Sequence, residues 1–472
     1  MSSKKLLVVI PDGVGLRNFI YSRFPEEVRN SGWELIFLNM TPLVLKDLGL
    51  KEIILDPKPS FKTDLLKRAK INIELDLFQR KFNDTVFEKF KFSPASVGLK
   101  NKIKNLLVDL LISIYNSEKG LTRIRAMMKE SERGTTYYNY CKQILCAEKP
   151  DMVFCTSQRP VNAVSIITAA QDLEVPTSCF IFSWDNLPKA TKVLETDYYF
   201  VWSDYMKDEL LKYYPHITED QVEITGTPQF EIHYDKSGII AKNHFFKEYG
   251  LDIDKKYLCF SGDDITTSPH DELFLNDVAE AVERLNKKGT NIGIVFRRCP
   301  VDFTNRYNRI LTKYKNLIVS IEPKWETRGD YWNQAIPKKE DLFLQTNIVE
   351  HTFMVINVGS SMVFDYAAKG KPCAYINYLP QIENLKKDIR EVYSYTHFKS
   401  MPNKESVYWI NEKTDIGKII YSQMKYGGST VIENSQKWFY QVNNINSSSR
   451  TIVRKIEVLL KRQHKNLSKK QD

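Results

Sequence analysis

The sequence predicts an α/β protein with two Rossmann-type domains, over residues 1–235 and 245–430. A helical insert interrupts the first, and a C-terminal segment (431–472) crosses back from the second. Three observations carry this reading. Short apolar, β-prone runs alternate with helix-compatible stretches, the order expected of parallel sheets covered on both faces. Successive strands end in polar or glycine-bearing loops, which in such sheets share one edge. The segment Phe353–Tyr378 reads as a complete β-turn-α-β unit on its own: a strand over Phe353–Ile356, a Gly359-Ser360-Ser361 turn, a helix over Met362–Lys369 ended by Gly370 and Pro372, and a strand over Cys373–Ile376.

In chain order, Leu6–Ile10 is the first strand, followed by Pro11-Asp12-Gly13-Val14-Gly15, a helix near Asn18–Asn30 and a strand over Trp33–Leu38. The loop lacks the full GxGxxG dinucleotide fingerprint. Gly13 and Gly15 let backbone approach a ligand, and Asp12 stands at the carboxyl end of the first strand. Asp12 reads as a general base or hydroxyl binder, or as an ordinary turn aspartate. From Lys51 to Arg133 lysines and arginines are interspersed with Leu and Phe, and Leu106–Ile112 forms a strongly apolar helix face. This insert (about 60–133) reads as a solvated helical bundle or as a surface for anionic lipid.

The α/β rhythm resumes with strands over Asp151–Cys155, Thr177–Phe182, Tyr198–Trp202 and Gln221–Ile224. Between the second and third of these lies Ser183-Trp184-Asp185-Asn186, where Asp185 is a candidate base or sugar-hydroxyl acceptor, or the head of an Asx turn. The second domain opens with Lys256–Phe260 and an Asp263-Asp264 turn, then a long helix to Leu285 and a strand over Asn291–Phe296 ending in Arg297-Arg298. Two arginines at the end of an apolar strand need an anion, either a diphosphate or neighbouring carboxylates. Trp325 is a plausible wall for a nucleobase, and His351, just before the Phe353 strand, is a candidate for the phosphates. At the helix after Gly359-Ser360-Ser361, backbone N–H groups, two hydroxyls and the dipole suit a phosphate, with Asp365 one turn inside.

Composition bounds the rest. With 42% hydrophobic and 27% charged residues the chain is an ordinary globular protein, and it contains no apolar run of membrane-spanning length. The seven cysteines are scattered without CxxC spacing, which points to reduced thiols and a cytoplasmic setting, and no metal-ligand pattern is present. The net charge of +10 permits anionic substrates, an anionic membrane surface or nucleic acid. No nucleic-acid-binding motif accompanies it, so nucleic acid is not expected.

The segment NVGSSMVFDYAAKGKP (357–372) resembles bacterial GT-B-type glycosyltransferase-like enzymes of surface-polysaccharide synthesis, and looks like a motif of CDP-glycerol glycerophosphotransferases. The strings SWDNLPK (183–189) and ITGTPQFE (224–231) look like signatures of a bacterial glycosyltransferase-like group. The resemblance implies a GT-B-like fold with two facing domains, and donor phosphate held by Ser360 and Ser361. The phosphotransferase motif has Asp-Tyr ahead of the serines, where this chain has Val358-Gly359. The expected activity is therefore metal-independent transfer of a sugar from a nucleotide-sugar, a co-substrate and not a resident cofactor, to a surface-glycan or lipid-linked acceptor. Asp12 or Asp185 would be the base, and Gly13, Gly15, Asp263, Arg297, Arg298, Trp325, His351, Gly359, Ser360, Ser361 and Asp365 the binding set. A CDP-glycerol-type polyol-phosphate transferase and a non-catalytic nucleotide- or membrane-binding protein are the alternatives. The expected location is the cytoplasm, with peripheral contact on the inner face of the membrane.

Overall fold

The computed structural model describes residues 4–91, 98–327 and 335–468. The chain divides into two compact units, Met1–Pro228 with Ser447–Asp472, and Gln229–Asn446.

The first unit is built on seven parallel strands: β1 Lys5–Ile10, β2 Glu34–Asn39, β3 Glu52–Ile54, β4 Met152–Cys155, β5 Thr177–Phe180, β6 Tyr198–Val201 and β7 Val222–Ile224. Their spatial order is β3-β2-β1-β4-β5-β6-β7. The central strands β1, β4 and β5 are almost wholly buried, as a covered parallel sheet requires, and β1 and β4 are apolar on both faces after Lys5. Against them Phe19 packs edge-on to Phe24, Phe154 and Phe180, with centroids 5.2–5.3 Å apart. The continuous helix expected over Asn18–Asn30 is instead broken. Tyr21 N–H reaches Leu16 C=O across a wide turn, and a new helix, Phe24–Asn30, starts with Pro25 in its first turn.

Between β3 and β4 the insert is helical, with helices Phe61–Phe82, Leu99–Tyr115, Glu118–Arg133 and Thr136–Glu148. The last helix, Ser448–Ser468, also belongs to this unit, where Arg450 pairs with Glu27 and both Lys455 and Arg462 with Glu223. It runs to Ser468, and residues 469–472 lie outside the described part.

The second unit holds six parallel strands: β8 Lys256–Ser261, β9 Ile292–Arg297, β10 Ile318–Ser320, β13 Thr352–Asn357, β14 Cys373–Ile376 and β15 Tyr408–Ile410, in the order β10-β9-β8-β13-β14-β15. A small antiparallel pair, β11 Trp325–Thr327 and β12 Ala335–Pro337, stands apart from that sheet. The apolar stretch Leu342–Thr346 lies inside a helix, Lys339–His351. Leu258, Phe260, Ile294, Phe296, Met354 and Ile356 form the core with the helix Asp271–Asn286.

Candidate functional site

Strand order reverses once in each sheet, between β1 and β4 and between β8 and β13. At such a reversal the loops leaving the two central strands depart in opposite directions and open a crevice at the carboxyl edge, where open α/β sheets bind ligands.

In the first unit the crevice is bounded by Asp12–Gly15 after β1 and Thr156–Arg159 after β4. Asp12 is buried and accepts the Gly15 N–H at 2.9 Å, which starts the short helical turn Gly13–Gly15. Burial pushes its carboxyl above the usual range, against the N–H groups of Gly15 and Val14 and the charge of Arg159. A Cβ at Gly15 would lie 2.7 Å from Thr156 Oγ1, and that hydroxyl is itself fixed by donating to Val9 C=O at 3.0 Å. Only a glycine lets the two loops approach so closely. Arg159, absent from the sequence-derived set, joins the two candidate bases. Burial draws its pKa down, while Asp185 and Asp12 hold it up, and its guanidinium lies 5.5 Å from the Phe182 ring centroid. Asp185 accepts from Ser183 and Asn186 and forms an ion pair with Lys189. Gln158 ties its loop to that turn by donating to Asn186 Oδ1 at 2.8 Å. The only sequence signal for Arg159 is its place directly after a strand.

In the second unit the crevice lies between Ser261–Asp264 after β8 and Val358–Ser361 after β13. Val358 N–H donates to Asp263 Oδ2 at 3.2 Å, so the two loops are joined. Asp263 N–H donates to Asp271 Oδ2 at 3.2 Å, and Tyr307 OH donates to the same oxygen at 2.8 Å. Burial raises the pKa of both carboxyls, and the negative neighbours Asp271 and Asp264 raise Asp263 further. Asp264 differs: burial is outweighed by hydrogen bonds from Thr266 and Thr267, which hold it below the usual carboxylate range. Gly359 has φ +68°, and a Cβ there would meet Val392 at 2.8 Å, so both conformation and space demand glycine. Ser360 N–H is held by Asn357 Oδ1 at 2.9 Å and its C=O accepts from Tyr375 OH at 3.1 Å. Gly359, Ser360 and Ser361 remain partly exposed on this fixed turn. Neither Asp271 nor Tyr307 stands out in the sequence: Asp271 reads as the acidic start of a helix eight residues after Asp263, and Tyr307 lies 44 residues beyond Asp263.

Other expected binding residues have different partners. Arg297 is buried and forms a forked ion pair with Asp341 at 2.9–3.0 Å. Asp341 also accepts the Trp325 indole N–H at 2.7 Å and Lys324 N–H at 2.8 Å. Burial alone would raise Asp341, but Arg297 and these donors hold it below the usual range. Arg297 and Trp325 are thus knotted together through a carboxylate, and Arg297 is not a free diphosphate clamp. Arg298 donates to Thr304 C=O at 2.5 Å, lies beside Glu322 and stacks over Tyr307. His351 ends the helix before β13, at the opposite end of that strand from Gly359–Ser361, and its ring contacts Ile240 C=O at 2.8 Å and packs by Phe245. It is not brought to the Gly359–Ser361 turn. Asp365 is buried and meets His233 Nε2 at 2.7 Å and Gln345 Nε2 at 2.9 Å. Its role here is to fix neighbouring side chains, which leaves it poorly placed to meet a ribose.

No family model matches the sequence, and no curated protein matches it. Solved structures do. The glycosyltransferase from Rickettsia africae aligns with TM-score 0.53 at 13% identity, over 99% of this chain and 100% of its own. The S. aureus protein MnaA bound to UDP aligns with TM-score 0.53 at 12% identity, over 97% of both chains. The UDP-GlcNAc 2-epimerase from Methanocaldococcus jannaschii aligns with TM-score 0.50 at 14% identity, over 96% of this chain and 99% of that one. The fold is of the GT-B type, with two Rossmann-like parallel α/β domains in one chain.

Proposed function

We propose that this protein is a glycosyltransferase that moves a sugar from a nucleotide-sugar to a hydroxyl of a surface-glycan or lipid-linked acceptor. The observation that supports it most is the second unit's reversal point. There a glycine-serine-serine turn is joined, through Val358 N–H and Asp263, to buried carboxyls of raised pKa. Strongly perturbed carboxyls in a crevice are a mark of functional sites.

In this reading Ser360 and Ser361 hydrogen-bond the nucleoside diphosphate, and Gly359 gives it room to approach the backbone. Asp263, whose pKa its surroundings raise, donates a hydrogen bond to phosphate or ribose in its protonated form. Asp12 takes the acceptor hydroxyl's proton as the new glycosidic C–O bond forms and the anomeric carbon–phosphate oxygen bond breaks. Its raised pKa brings it nearer to where a general base works, whereas Asp185 is neutralised by Lys189. The diphosphate then leaves with the electron pair of the broken bond.

The test is a screen of purified protein for nucleotide release from UDP-, GDP-, dTDP- and CMP-sugars beside CDP-glycerol. Release from one of the sugar donors, increased by a glycan or lipid-linked acceptor, is expected. Turnover of CDP-glycerol alone would move the protein to polyol-phosphate transfer, and binding without turnover of any donor would contradict catalysis.

A further inference from the structure

The helix Leu99–Tyr115 in the first unit's insert turns its apolar side outward. Its one buried residue is Val108. Leu99 is 75% exposed, Ile103 51%, Leu106 69%, Leu110 55% and Ile114 61%, with Leu107 beside them at 36%. Steps of four, three, four and four residues put the first five on one face, and with Leu107 they span an arc of roughly 100°. Soluble helices of this length ordinarily bury such a stripe. Phe61, 55% exposed, extends the apolar surface, with Lys104 lying 5.6 Å from its ring centroid.

Charge is distributed to match. Lys100 and Lys102 are exposed, and helical spacing sets one on each border of the apolar arc. Lys104, on the inner side, is held by Asp64. Asp109, the helix's single acidic residue, is exposed and falls on the same border as Lys102, two turns further on. Pairing of this face with a second copy of the chain would bring lysine borders together, at an electrostatic cost. An anionic headgroup layer complements them, and lysine stems reach upward from an immersed apolar face. Among the described residues no helix is long and apolar enough to cross a membrane, so this one would lie in the plane of the surface.

We propose that the helix Leu99–Tyr115 docks this protein on an anionic lipid bilayer, with Leu99, Ile103, Leu106, Leu110 and Ile114 immersed and Lys100 and Lys102 at the headgroups. The proposal uses no residue of either crevice and stands independently of the glycosyl-transfer reading.

Flotation of the full chain with vesicles tests it, comparing phosphatidylcholine alone with phosphatidylcholine plus phosphatidylglycerol at low and high salt. Binding is expected only to the anionic vesicles and is expected to weaken with salt. Leu106→Asp with Leu110→Asp should lower it by more than about tenfold, and Lys100→Gln with Lys102→Gln by roughly fivefold per lysine. All four side chains are exposed, so melting temperatures should not change. Equal binding to both vesicle types, or no response to either double variant, would overturn the proposal. So would a lipid-free dimer, seen by sedimentation velocity, that Leu106→Asp with Leu110→Asp dissolves, because that face would then be a protein–protein interface.

Discussion

The two crevices occupy the same place in two similar sheets, yet their charges are balanced differently. In the first unit, acids are set against a base: Asp12 and Asp185 both act on Arg159, and Lys189 neutralises Asp185. In the second, three acids cluster, Asp263 beside Asp271 and Asp264, with Arg306 as the cation opposing them, next to a turn of small residues. The strand-end arginine of that unit, Arg297, pairs through its Nη2 with Asp341. A crevice with balanced charge can hold neutral hydroxyl-bearing groups. One in which Asp263 and Asp271 have raised pKa values, beside hydroxyls and a tight turn, suits a ligand that brings its own negative charge.

The largest effect tests whether Arg297 belongs to that second crevice. Arg297→Met should cost about 3–5 kcal/mol of stability in chemical denaturation, because it strands a buried carboxylate. Adding Asp341→Leu should recover much of that loss and leave donor affinity unchanged. A persistent affinity loss in the recovered double variant would return Arg297 to the binding set.

Next in size is the contrast between the two first-unit carboxyls. Asp12→Asn should lower kcat/KM for sugar transfer by about a hundredfold or more, while the amide oxygen still caps Gly15 N–H and preserves the fold. Asp185→Asn should have a much smaller effect on the same assay, and the reverse ranking would exchange their roles.

The smallest expected effect is one of stability and pH. The folded-state pKa values of Asp263 and Asp271 lie above their unfolded values, so the native state holds extra protons and loses stability as pH rises above the ordinary carboxylate range of about 4. Asp263→Asn should therefore raise the melting temperature at alkaline pH and lose that advantage as pH falls toward about 4. A gain of equal size at both pH values would mean that the like-charge contact is not its source.

Much of the fold is legible in the sequence because parallel strands buried on both faces are nearly continuous apolar runs. The strand Cys373–Ile376 lies where its pattern puts it. The edge strands β3, Glu52–Ile54, and β15, Tyr408–Ile410, are not among the strands expected from sequence, although the equally short edge strand β7 is. Within the site, sequence identifies residues at strand ends but not their partners. Arg297 at the end of β9 looks like an anion clamp until the fold brings Asp341 to it from a distant helix. Asp365 likewise is claimed by His233, 132 positions away. The exposure of the Leu106 face was not decidable from periodicity, which gives a helix an apolar side without saying what covers it.

The central claim is that the turn after β13 holds the donor's phosphates. Its most direct test is calorimetric titration of UDP, GDP, dTDP and CMP into the wild-type chain and into Ser360→Ala with Ser361→Ala. Saturable binding of one nucleotide, weakened about tenfold or more in the variant with its melting temperature retained, is the predicted result. An unchanged Kd in the variant would contradict it.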